Sequence, residues 1–261
     1  MMKISIIGAG NMGGAIARGL AHSNLEIEIA VADLAVDKLD ELKQECPAIK
    51  ISTNSCEIVE GADVVLLAVK PWLVQPVLAS IEDKFDATSQ VLLSIAAGVA
   101  IDDIKSWVKN PDDAVIFRAI PNTAISIHQS MTFVCHSTNT SAEQVVMVKS
   151  IFDELGKAAV IEERLMSAAT SLCSCGIAFA MRNVRAATEG GVELGIYPEQ
   201  SKEYVLQTLR GAIELLEATG NNPEVEIDKV TTPGGITIKG LNAMEANGFT
   251  NAVIQGLKAS K

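Results

Sequence analysis

Three glycines are the residues whose spacing most plainly implies chemistry. Gly8, Gly10 and Gly13 stand in a G-x-G-x-x-G pattern, after the apolar, β-branched run at 3–7 and before a helix-forming stretch at 15–20. In that setting each has a task. Gly8 permits a tight turn, Gly10 lets a pyrophosphate approach the backbone, and Gly13 lets the helix lie close on the strand with the anion at its N-terminus. The implied ligand is a dinucleotide.

Other residues fall where such a ligand needs them. Asp33 ends a second predicted strand roughly twenty residues beyond the last glycine, where an acidic side chain accepts hydrogen bonds from a ribose hydroxyl. A bare carboxylate repels a 2′-phosphate, and the nearest cation, Lys38, is predicted on the next helix, so the residue by itself favours NADH over NADPH. A solvated turn aspartate is the other reading. Lys70 and Pro71 follow the strand at 63–69. In open α/β sheets ligands bind beyond the carboxyl ends of strands, so Lys70 faces the crevice unless it is an ordinary loop lysine. Ala96, Ala97 and Gly98 follow the strand at 90–95 and leave space for a flat ring.

A second chemical stretch lies at 228–239, DKVTTPGGITIK. Pro-Gly-Gly sets a sharp turn and 236–246 reads as a helix. Unpaired backbone N–H groups and the hydroxyls of Thr232 and Thr237 gather at its N-terminus, which suits a small carboxylate. Taken alone, an inter-helix turn explains the same residues.

The elements that must position these groups follow from pattern. Strands are predicted at 26–32, 48–52, 63–69, 90–95 and 115–122, then at 129–136 and 157–161 around a helix at 141–155. Thr53, Asn54 and Ser55 form a loop and helix cap. From 162 onward the pattern is helical, with turn signals at 190–191, 195–198 and 220–223. The fold class is α/β: a doubly wound sheet at 1–162 and an all-helical domain at 163–261. The helix from 165 is small and apolar on most faces. Its Ser, Thr and Cys content, between Arg164 and Arg182, predicts a buried helix rather than a membrane span. It and the amphipathic helix at 198–218 cannot bury themselves as a lone appendage, so a homodimer is expected.

Composition narrows the partners. The 261 residues carry a formal charge of −11, which disfavours nucleic acid and anionic membranes and leaves small metabolites. Five cysteines, an odd set without C-x-x-C spacing, indicate neither a disulfide framework nor a metal site. The first strand starts too early for a secretory signal, so a cytoplasmic protein is expected.

Together these residues resemble the pyrroline-5-carboxylate reductase family over essentially the whole chain. The resemblance rests on Ile7-Gly8-Ala9-Gly10-Asn11-Met12-Gly13, on Ala68-Val69-Lys70-Pro71, on Arg118 through Pro121-Asn122, and most specifically on Val230-Thr231-Thr232-Pro233-Gly234-Gly235-Ile236-Thr237. It implies a Rossmann domain, a helical domain interlocked with a second subunit, possible larger assemblies of dimers, and NADPH or NADH as cofactor. It implies reduction of 1-pyrroline-5-carboxylate to L-proline, the last step of proline biosynthesis. Carried over by position, Gly8, Ala9, Gly10, Asn11, Met12, Gly13, Asp33, Asn54, Ala68, Val69, Lys70, Pro71, Ile95, Ala96 and Ala97 would hold the dinucleotide. Lys229, Gly234, Gly235, Ile236 and Thr237, with Thr232 beside them, would meet substrate or the nicotinamide end, and the Thr237 hydroxyl is the candidate hydrogen-bonding partner of the imine nitrogen. No histidine lies near either motif.

The chain departs from the family pattern ahead of its long helix. Ser167 stands for an aspartate, and Cys173-Ser174-Cys175-Gly176-Ile177-Ala178 stands for Ser-Gly-Ser-Gly-Pro-Ala. Two rival readings remain: a β-hydroxyacid-dehydrogenase-like oxidoreductase, which normally needs a lysine that 165–190 lacks, and a non-catalytic dinucleotide-binding protein.

Overall fold

Consecutive Val, Ile and Leu suit a sheet covered on both faces, and the apolar runs form one. In the computed structural model, which describes residues 1–261, the order is β1 (Met2–Ile7), α1 (Asn11–Ala21), β2 (Ile27–Ala32), α2 (Val36–Glu45), β3 (Lys50–Ser52), α3 (Ser55–Val59) and β4 (Val64–Leu67). There follow α4 (Val74–Ile81), β5 (Val91–Ser94), α5 (Ile101–Ser106), β6 (Val115–Ile120), β7 (Ser130–His136), α6 (Ala142–Asp153) and β8 (Gly156–Val160). The strands lie in the order β3-β2-β1-β4-β5-β6-β7-β8. The first six are parallel, β7 runs antiparallel to β6, and β8 is parallel to β7. This is a Rossmann sheet whose order reverses between β1 and β4, the crevice where such folds take nucleotides.

Neighbouring residues feed opposite faces because side chains alternate along a strand. Ile6 and Leu66 join Ile16, Leu20, Phe117 and Phe152 in one core layer. Ile7 and Leu67 join Val74, Leu92, Ile104 and Ile116 in the other.

Two compact units are present, Met1–Ser174 and Cys175–Lys261. The first runs past the expected limit at 162 because Met166 is buried in a core layer of the sheet. The predicted continuous helix from 165 is instead α7 (Met166–Ala169), a π-helical turn at Thr170–Cys175 and α8 (Gly176–Glu193). The second unit continues with α9 (Pro198–Thr219), α10 (Pro223–Lys229), α11 (Ile236–Ala246) and α12 (Phe249–Ala259).

The expectation that this helix is buried is not met within one chain. No residue of α8 is buried, and of α8 through α12 only Ser201 is. Ser201 Oγ donates to the Thr188 carbonyl at 2.9 Å, and a Cβ at Gly191 would fall 2.1 Å from that oxygen, so α8 and α9 touch through small residues. Periodicity identifies an apolar face but not the chain that covers it. By length and composition, 163–193 could also cross a membrane.

Candidate functional site

The ladders bring the glycine turn and two strand ends together. Gly8 N–H donates to the Ala32 carbonyl at 2.7 Å, Ala68 N–H to Ile7 at 2.8 Å, and Ile95 N–H to Leu67 at 3.1 Å. Gly8 has φ 110°, and a Cβ there would sit 2.6 Å from the Ala68 oxygen. At Gly13 a Cβ would lie 2.0 Å from the Gly8 oxygen. Neither site admits a side chain without moving backbone. Gly10 differs, since a Cβ there would meet no atom within 4 Å. The space it leaves lies at the N-terminus of α1, whose cap, Gly10, supplies no side-chain hydrogen bond. Open N–H groups beside an empty space are what a pyrophosphate requires, so these residues fit a dinucleotide.

Asp33 is more than a turn residue. Its Oδ2 accepts from Ala9 N–H at 2.6 Å and its Oδ1 from Ala35 N–H at 2.8 Å, which ties the end of β2 to the glycine turn. Asn54 caps α3, its Oδ1 accepting from Cys56 N–H at 3.0 Å. Lys70 is exposed at the head of the 3-10 turn Pro71–Leu73. Ala96 is buried and Ala97 exposed beyond β5. Asn11 is exposed and Met12 half-buried on the first turn of α1, and Val69 is half-buried after Ala68.

Two buried polar groups belong to the Arg118–Asn122 motif and carry no site role assigned from the sequence. Asn122, buried beyond β6, accepts from Ala124 N–H at 3.0 Å and donates to the Cys173 carbonyl at 3.5 Å. Buried Arg118 pairs with Glu163, which also accepts from Ile101 N–H at 2.8 Å. For Arg118 the available signal was a charge inside an apolar strand run. Beside Arg118 on β7, burial pushes the Cys135 thiol up to about 11, so it stays protonated. His22, His128 and His136 each hold a backbone carbonyl through Nδ1.

In the helical unit, Gly234 has φ 74° and Gly235 donates its N–H to the Thr232 carbonyl at 2.9 Å. A Cβ on Gly235 would lie 2.6 Å from Thr232 Oγ1, so the turn needs glycine twice. Gly235 caps α11 without a side-chain bond. Ile236 and Thr237 follow with their N–H groups unspent, and Ile236 is 88% exposed. Lys229 is not free, for its Nζ donates to Glu226 at 2.7 Å. Hydrogen bonds from Asn221 and Lys229 hold the Glu226 carboxyl below its usual range.

Residues 163–261 match the family described as pyrroline-5-carboxylate reductase dimerisation, and 3–98 match the one described as NADP oxidoreductase coenzyme F420-dependent. The chain is 37% identical to pyrroline-5-carboxylate reductase 1 of Dictyostelium discoideum over 98% of its own length, spanning 48% of that protein. To reductase 2 of the same organism it is 35% identical, covering 99% of this chain and 90% of the relative. Its fold is similar to that of the Plasmodium falciparum pyrroline carboxylate reductase, solved with NADP bound, with a TM-score of 0.88, 27% identity, and coverage of 99% and 95%.

Proposed function

We propose a reaction from one premise: the chain belongs to the pyrroline-5-carboxylate reductase family. It is an oxidoreductase that uses NADH or NADPH to reduce 1-pyrroline-5-carboxylate, a cyclic imine bearing a carboxylate, to L-proline. The likeness to a reductase over nearly the full length of both chains carries this reading.

When bound, the reduced nicotinamide supplies a hydride to the imine carbon. The chain's task is placement, and holding reactants in near-attack geometry is worth about 7–11 kcal/mol. Gly8, Ala9, Gly10, Asn11, Met12 and Gly13 receive the pyrophosphate at α1. Asp33 and Asn54 serve the adenosine side, and Ala68, Val69, Lys70, Pro71, Ile95, Ala96 and Ala97 the nicotinamide side. The N–H groups of Ile236 and Thr237 donate to the substrate carboxylate, in a turn shaped by Thr232, Gly234 and Gly235. Lys229 adds positive charge nearby, moderated by Glu226. The ring nitrogen enters protonated by solvent, and Thr237 Oγ1 accepts its N–H.

The chain acts as a homodimer through its helical unit, supported by the match to a dimerisation family at 163–261. We assign the apolar stretch at 163–193 to that interface and not to a membrane, and the enzyme to the cytoplasm, on its acidic charge and unpaired cysteines.

Thr237→Val tests the assignment. Losing one hydrogen bond to a charged group predicts turnover lower by about 10- to 100-fold, with dinucleotide affinity and dimerisation unchanged. A rate equal to wild type would remove Thr237 from the reaction.

A further inference from the structure

The loop that leaves β5 is pinned at both ends and open in the middle. At its near end Ile95 N–H donates to the Leu67 carbonyl at 3.1 Å, and Ala96 N–H donates to Ser94 Oγ at 3.3 Å. At its far end Ile101 N–H donates to Glu163 Oε1 at 2.8 Å. Ala97 and Gly98 are exposed between them, while Ala96, Val99 and Ile101 are buried in the core layer that also holds Met166.

Glu163 does not hold that far end alone. The same Oε1 accepts from Arg118 Nη1, and Arg118 stands opposite Ser94 in the β5–β6 ladder. One ion pair thus ties β6 to the end of the loop. Stability is a poor reason to keep it. Arg118 is 7% exposed and its buried Nε has no hydrogen-bond partner. A buried pair with an unmet donor is commonly no more stabilising than apolar residues of similar size.

We propose that Arg118 and Glu163 are positioning residues for the hydride transfer. Their ion pair, acting through Ile101, fixes the loop at 95–101 so that Ile95, Ala96 and Ala97 hold the nicotinamide ring in near-attack geometry. The proposal rests on the reading of the chain as a nicotinamide-dependent reductase and adds two residues that act through others. The pyrophosphate is received elsewhere, at Gly8 to Gly13, so a loosened loop costs placement rather than affinity. A misplacement of about 1 Å costs about 100-fold in rate.

The test compares wild type with Arg118→Met combined with Glu163→Met, as full-length proteins. Apolar side chains replace the pair, so the urea midpoint is expected to match or exceed that of wild type. Amide hydrogen exchange over 95–101, without cofactor or imine, is expected to quicken about tenfold as Ile101 N–H loses its acceptor. Kd values for NADH and NADPH, read by nicotinamide fluorescence, are expected to stay within about threefold, while kcat with 1-pyrroline-5-carboxylate falls about 10- to 100-fold. Glu163→Gln keeps an oxygen for Ile101 N–H, so its kcat is expected to fall only about three- to tenfold at the same Kd. Unchanged exchange over 95–101, or unchanged kcat in either variant, would overturn the proposal. So would stability, affinity and kcat falling together, the pattern of a merely structural pair. A wild type that binds dinucleotide without turning over the imine sinks the reductase reading instead, and hydrogen exchange still decides whether the pair holds the loop.

Discussion

The sheet unit and the helical unit spend apolar residues in opposite ways. In the first, strands and helices bury Ile, Leu, Val and Phe in two layers. In the second, five helices bury one serine and leave Phe179, Met181, Leu206, Ile213, Leu215, Phe249 and Ile254 exposed. A single chain can complete a two-sided sheet. Five helices wound around little but each other's small residues need a second surface to remove comparable area from water. The contrast assigns stability of the Gly8–Gly13 turn to the chain and stability of the helical unit to the dimer.

The strongest blow to that contrast is charge on the open helical face. Leu206 and Ile213 lie seven residues apart on α9 and share a side of it. Leu206→Glu with Ile213→Glu should weaken the dimer by ~30-fold or more, since an unpaired interface charge costs upwards of about 2 kcal/mol. Sedimentation would show monomers that retain dinucleotide binding. Dimers of undiminished strength would mean that this face is not covered by a partner.

The glycine turn sharpens the other side of the contrast. Gly13→Ala forces a Cβ into the Gly8 carbonyl and should cost about 1–3 kcal/mol of stability, seen as a lower urea midpoint. Gly10→Ala meets nothing in the fold, so the midpoint should hold while dinucleotide affinity falls. Equal effects of the two would deny that Gly10 is kept for a ligand and Gly13 for packing.

The smallest effect concerns Cys135 in the buried sheet. Its folded pKa, about 11, exceeds the ordinary value of 9.0. The unfolded chain loses that proton first, so the stability it contributes is whole below pH 9 and is lost as pH rises to 11. Urea midpoints should fall across that window, less steeply in Cys135→Val. Matching slopes would place the loss elsewhere.

Much of the sheet was legible because each strand is a local run of branched residues closed by a turn. The glycine site was legible because its spacing encodes a backbone path. The two-sided tether of Asp33 was not, since it joins residues 24 apart through a backbone N–H that no side-chain pattern reveals. The π-helical turn at Thr170–Cys175 also escaped, because a residue inserted into a helix leaves the composition helical. Exposure of α8 was hidden for a third reason: an apolar helix face reads the same whether its own chain or another covers it.

The most direct test of the assigned chemistry is oxidation of reduced nicotinamide by the purified dimer in the presence of 1-pyrroline-5-carboxylate. Proline formed mole for mole with the nicotinamide consumed is the predicted result. Tight dinucleotide binding with no imine-dependent oxidation, by NADH or NADPH, would contradict it.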